Sequence, residues 1–235
     1  MSTKDLASKK IEDYNEVFAD IYNTLLFGMA VVSPEGLRAG ATESIYKTDG
    51  RDVNDQRRDV LKQYRSKANL LISSLGIENQ TSIDETMPLR VLGYDFGTYR
   101  QQVIEGEKKI TPVITIVLNF SDRRWQAAKS LREMFRIDSK WSKYVQDYKV
   151  RVFDIAFLED RVIESFTSDF REIAAFFKKR RLGEDPLASN RELSHPQAVL
   201  EFISAFTQDG RYLDGAKYLN DRKERGRCGD YVPGC

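Results

Sequence analysis

A chain of 235 residues, 41% hydrophobic and 31% charged, has enough length for one substantial core with or without a small helical annex. No run approaches the roughly 20 apolar residues of a membrane helix, and Met1 to Glu16 lacks the apolar stretch of a signal peptide, so a cytoplasmic protein is expected. One histidine, His195, and two late cysteines, Cys228 and Cys235, argue against His-based triads, thiolate zinc sites and a disulfide-stapled core. Any metal should be a hard cation on oxygen ligands, Mg²⁺ or Mn²⁺.

Lys10 to Gly28 reads as an amphipathic helix, with Ile11, Tyr14, Phe18, Ile21 and Leu25 on one face and Gly28 as its stop. Asp13, Glu16, Asp20 and Asn23 step along a neighbouring face. Residues 38–56 are polar and Gly-containing and read as a mobile loop. Short strands are expected over Asp59 to Tyr64 and Asn69 to Gln80, the second apolar at its start and polar at its end. Pro88 to Arg100 opens a helix, and Pro112 to Phe120, PVITIVLNF, is the clearest strand. Ser130 to Phe135 reads as a short helix or turn, and Val150 to Leu158 as a further strand. Asp169 to Arg181 is a helix with a basic tetrad in its last turn. Ser194 to Gln197 reads as a capping box opening a helix through Phe206, which makes His195 a surface residue.

This order implies an α/β fold: a mixed sheet flanked by helices, with a helical C-terminal portion. The expected units are a core over 10–165, a helical extension over 166–220 and a flexible tail over 221–235. The net charge of +1 does not announce a nucleic-acid binder. Positive charge does gather locally in Arg51 to Lys67, Arg123 to Arg151, Lys178 to Arg181 and Arg222 to Arg227, where patches could grip phosphates.

Asp59 opens one strand, Glu78 lies near the end of the next, and Gln80, two residues on, shares the face of Glu78. Acids converging from adjacent strands suit a metal-assisted hydrolysis. They also suit the plain polar end of a sheet.

RRDVLKQY (Arg57 to Tyr64), LGIENQ (Leu75 to Gln80), MPLRVLGYD (Met87 to Asp95), TPVITIVLNF with Trp125, and VRVFDIAFLE together carry a resemblance. In that order, with FADIYNTLLFG (Phe18 to Gly28) before them, they resemble the recombination-promoting nuclease family, also labelled putative transposase, of the PD-(D/E)XK nuclease superfamily. The likeness spans roughly Phe18 to Phe206. It implies a restriction-endonuclease-like core and a metal-dependent endodeoxyribonuclease acting on DNA, linked to recombination or transposition.

By that resemblance Asp59, Glu78 and Gln80 are the catalytic residues. Asp59, Glu78 and Asp20 would hold Mg²⁺ or Mn²⁺, with Glu16 second to Asp20 as the extra acid of the first helix. Arg90 would face the substrate backbone, with Lys62 a further cation. Gln80 stands where the superfamily usually has lysine, so charge on the phosphorane must be met by metal or by another cation. The alternative is a catalytically inactive DNA-binding or assembly module on the same fold. No membrane partner is expected, and a homodimer is left open.

Overall fold

The computed structural model of the protein describes residues 7, 10–40, 43–46, 54–68, 70–186 and 191–214. The expected tail over 221–235, with both cysteines and the cluster Arg222 to Arg227, lies outside the described residues, as do Arg51 and Asn69.

The fold is α/β, with a mixed five-stranded sheet flanked by helices. Its strands are β1 (Leu37–Ala39), β4 (Val60–Arg65), β5 (Leu71–Gln80), β6 (Val113–Asn119) and β7 (Arg151–Asp154), adjacent in that order. β1, β4 and β5 pair antiparallel, while β5, β6 and β7 run parallel. Parallel neighbours need crossovers. Helix α2 (Met87–Ile104) supplies the one from β5 to β6, and an excursion containing α3 (Leu131–Met134) and α4 (Ser139–Ser142) supplies the next. β2 (Glu43–Tyr46) and β3 (Asn54–Arg57) form a separate hairpin.

The first helix is interrupted. Residues 10–12 are helical, Tyr14 is extended, and α1 runs from Asn15 to Ile21 before widening into a π-helical segment, Tyr22–Phe27. Gly28 ends it at φ 64°, a left-handed conformation that glycine takes without a Cβ penalty. Residues 38–56, expected as a loop, contribute β1 and most of the β2–β3 hairpin instead. β7 stops at Asp154, where a 3₁₀ turn, Ile155–Phe157, takes over the second half of the expected strand.

One sheet face carries Leu75, Ile77, Ile116 and Leu118. It packs on α1, α6 (Phe170–Leu182) and α7 (Pro196–Thr207), behind the short helix α5 (Asp160–Ser165). The other face buries Met87, Val91, Val117, Trp125 and Val150 beneath α2. The start of α7 has no capping box: Ser194 gives no side-chain cap, and Asp169 accepts the N–H groups of Ser194 (3.0 Å) and His195 (2.6 Å). The His195 ring is only 19% exposed, stacks on Tyr14 at 3.5 Å and lies 3.2 Å from both Asp169 and Glu16.

Candidate functional site

β4 and β5 run antiparallel with Val60 opposite Ile77, so Asp59 falls opposite Glu78 on the face towards α2. Glu78 is fully buried. Its Oε1 accepts the Asp59 N–H at 3.3 Å, and its Oε2 lies 3.4 Å from Arg90 Nη2. Asp59 Oδ2 in turn accepts the Asn79 N–H at 2.7 Å. Burial, reinforced by the charge on Asp59, pushes Glu78 up to about 8 against the pull of Arg90 and Arg58. Two carboxylates thus share one strand end, and one of them resists ionising.

Arg90 reaches this pair because α2 begins immediately beyond β5. Asp84 accepts the N–H and the hydroxyl of Thr86 ahead of the helix, and Pro88 occupies its first turn. Arg90 donates to Asp84 (2.7 Å) and to the Tyr94 hydroxyl (3.0 Å), leaving 37% of its side chain exposed. Burial alone would lift Asp84, but its hydrogen bonds from Arg90 and Thr86 hold it below the usual carboxylate range.

A buried polar network stands directly behind Asp59. Arg58 pairs with Asp95 of α2, which also accepts from Tyr148 and from Thr115 (2.6 Å). Gly76 makes room for it, since a Cβ there would sit 2.8 Å from Arg58 Cδ and Nη1 and 2.9 Å from Thr115 Oγ1. Arg58 keeps Nε and Nη1 without hydrogen-bond partners among the described residues.

Three expected site residues lie elsewhere. Asp20 is turned to the segment before α6, where it accepts the N–H groups of Thr167 (2.9 Å) and Ser168 (2.8 Å) and both their hydroxyls (3.2 and 2.6 Å). Its oxygens are thus engaged in closing that turn. Glu16 pairs with His195. Lys62 is buried on the opposite sheet face, where its ammonium donates to the Asp13 carbonyl and to Asn15 Oδ1, both at 2.7 Å. Burial lowers its pKa.

The acid that does approach from the N-terminal segment is Glu12, unremarkable in the sequence. It is fully buried, accepts from Asn79 Nδ2 at 3.1 Å, and is pushed well up by burial, with the charge of Asp59 adding to the effect. Glu12 Oε1 and Asn79 Oδ1 have no partner among the described residues. The break at Asp13–Tyr14 aims Glu12 at this spot, and neither Gly nor Pro marks that break in the sequence.

Gln80 ends β5 opposite Asn119 of β6, and its carbonyl accepts the Phe120 N–H at 2.8 Å. Beyond it opens a cleft of about 380 Å³ lined by Thr81, Ser121, Asp122, Arg180 and Arg181 among others. Two members of the basic tetrad are committed to structure. Lys178 donates to Leu158 and Asp160, and Arg181 donates to the Ala156 carbonyl and lies over the Phe157 ring. Arg180 faces the cleft.

Among the described residues no three Asp, Glu, His or Cys side chains group tightly enough to enclose an ion. Asp59 and Glu78 are the pair that could hold one from one side. No helix among them is long and apolar enough to cross a membrane. Comparison with curated proteins and with solved structures finds no match. A family model described as "Putative transposase, YhgA-like" matches residues 57–188, which hold β4 through α6 with Asp59, Glu78, Gln80 and Arg90. That match covers more than half of the 235 residues, and the chain belongs to this family.

Proposed function

We propose that the protein is a metal-dependent endodeoxyribonuclease, hydrolysing DNA phosphodiester bonds at Asp59 and Glu78 in a role linked to recombination or transposition. The observation that carries this reading is the buried Glu78, held beside Asp59 and pushed up to about 8. A carboxylate pair with this much unmet negative charge is relieved by a cation. Mg²⁺ and Mn²⁺ suit it, because Mg²⁺ commonly takes one or two carboxylates and completes its shell with water and substrate phosphate. Such an ion would supply Lewis-acid stabilisation of the phosphoryl oxygens and a more acidic water.

The chain's own residues do the rest. Asn79, through its N–H, and Arg90 fix the two carboxylates in place. Gln80 offers a neutral amide to orient water, where a lysine would bring charge. Arg90 is the cation nearest the pair, and its exposed third faces the space a scissile phosphate would enter. Glu12, not Asp20, is the further acid near the pair; buried and reluctant to ionise, it holds Asn79 through its side chain. Arg180 and the cleft beyond Thr81 hold the flanking backbone through charge.

The test is cleavage of supercoiled plasmid in Mg²⁺ or Mn²⁺, beside Asp59→Ala and Glu78→Gln. Cleavage by the wild type and its loss in both variants is expected. Intact plasmid with folded wild type across divalent metals, or equal cleavage by all three proteins, would overturn the proposal.

A second reading keeps the DNA and drops the chemistry. It is favoured by the neutral Gln80, by the absence of a three-acid cluster among the described residues, and by Asp84 drawing Arg90 away from Glu78. It predicts salt-sensitive DNA binding that persists in chelator and in Glu78→Gln, without cleavage.

A further inference from the structure

Between β6 and β7 the chain leaves the sheet and returns, and Ser130 bridges Lys149 where it does so. The Leu131 N–H donates to the Tyr148 carbonyl (3.1 Å), the Val150 N–H to the Lys129 carbonyl (2.8 Å), and Tyr148 bonds Asp95 of α2. The excursion is therefore tied down at its base. α3 is capped by Ser130 and α4 by Asp138, and Arg132 crosses to the Val145 carbonyl at 2.9 Å.

Three of its aromatic side chains lie outside any core. Phe135, Trp141 and Tyr144 are 44%, 66% and 69% exposed and join neither hydrophobic cluster. Aromatic rings left in water in one short segment mark a surface used for contact. Trp141 and Tyr144 flank a single turn, the Tyr144 N–H donating to the Trp141 carbonyl at 2.9 Å, and Lys143 lies 4.9 Å over the Tyr144 ring.

The charges are sorted as well. The acids of the excursion turn onto its own backbone: Glu133 accepts from Lys129 N–H, Asp138 from Lys140 N–H and Asp147 from Arg132 N–H. Arg136, Lys140 and Lys143 are exposed, and no hydrogen bond or ion pair holds their side chains among the described residues. What projects is aromatic face with cations in excess: Glu133 and Asp138 are exposed as well, but each has a carboxylate oxygen held by a backbone N–H of the excursion.

We infer that this excursion is a second nucleic-acid contact, a ledge on which Trp141 and Tyr144 stack unpaired bases of a single strand while Arg136, Lys140 and Lys143 hold its phosphates. A duplex hides the faces of its bases, so rings of this exposure add little to duplex binding. Stacking on every base with a cationic track beside it is the chemistry of single-strand binding. Lys149, at the base of the ledge, is five residues before Asp154 at the site end of β7, roughly 16 Å at strand spacing. One strand can touch both. The biological sense of the ledge rests on the proposed nuclease reading, but its test does not.

The protein has two tryptophans, Trp125 buried under α2 and Trp141 exposed, which makes the ledge its own reporter. The full chain, in chelator and low salt, is titrated with an oligothymidylate of about 20 nucleotides and with a blunt duplex of equal length. Saturable quenching of the emission by the oligothymidylate is expected, absent from Trp141→Phe. Trp141→Ala with Tyr144→Ala should weaken single-strand binding by about tenfold or more while changing duplex binding less than about twofold. Unchanged single-strand affinity in the double variant would overturn the inference. So would a wild type that ignores the oligothymidylate, or sedimentation showing that the double variant has instead lost self-association. Quenching that persists in Asp59→Ala, where cleavage is lost or never present, separates this inference from the nuclease proposal.

Discussion

Glu78 titrates far from the ordinary carboxylate range, and the sign of its effect is open to measurement. Its folded pKa of about 8 lies above the ordinary 4.5, so the native state holds its proton longer than the unfolded chain. Its stabilising share is complete below about pH 4.5 and is lost as pH rises through about 8. At about 1.4 kcal/mol per unit over roughly 3.5 units, metal-free wild type should lose up to about 5 kcal/mol across that window. Glu78→Gln should lose less, with Glu12, raised in the same sense, keeping some slope. Urea unfolding in chelator from pH 5 to 8.5 measures both slopes, and identical slopes would refute the assignment. Asp20 makes the opposite case. With four hydrogen bonds from Thr167 and Ser168, Asp20→Ala should cost about 2 kcal/mol and leave any cleavage by the folded protein intact. Abolished cleavage at unchanged stability would return Asp20 to the site. These two acids also mark what the sequence could convey. The pairing of Asp59 with Glu78 follows from strand period and needs only that the two strands be neighbours. The third acid depends on the direction of a helical segment, and that direction is set by a break the sequence does not signal.

At the scale of elements, legibility followed burial. PVITIVLNF is apolar on both faces because β6 is an interior strand covered on both sides, and β5, α2, α6 and α7 announced themselves through similar runs and periods. β1 and the β2–β3 hairpin did not. They are three or four residues long and largely polar; β1 also takes its partner from further along the chain, with Leu37 aligned to Tyr64, while β2 and β3 pair only with each other. The join between β4, β5 and α2 has its own test. Arg58 fits against β5 because residue 76 lacks a side chain, so the methyl of Gly76→Ala must displace Arg58 or Thr115. Overpacking of this kind costs about 1–3 kcal/mol. A disturbed Arg58 also disturbs its neighbour Asp59, so Gly76→Ala should lower any metal-dependent activity more than its stability loss explains. Gly210→Ala, where a Cβ meets nothing within 4 Å, is the matched control and should be near neutral. Equal urea midpoints for the two variants would show that the Arg58–Asp95 pair tolerates the shift.

Across the whole molecule, the helical C-terminal portion and the sheet meet at one ring. Phe120 follows Asn119 at the end of β6, and its N–H holds the Gln80 carbonyl. Around it stand Phe170 and Phe177 of α6 and Phe202 and Phe206 of α7, with ring centroids 5.0 to 6.3 Å away. Phe202 is fully buried and stacks on Phe206 at 4.1 Å. The strand end that carries Gln80 is therefore buttressed by helices from beyond residue 166, and a boundary there would cut through shared core. Phe202→Ala should cost about 3–5 kcal/mol. The loss should appear as one cooperative transition, with helical circular dichroism and the emission of Trp125, which lies under α2 on the other sheet face, falling at the same urea concentration. If the helical signal melts first while Trp125 holds its native emission, α6 and α7 form a separable unit. In that case the site at Asp59 and Glu78 does not depend on them.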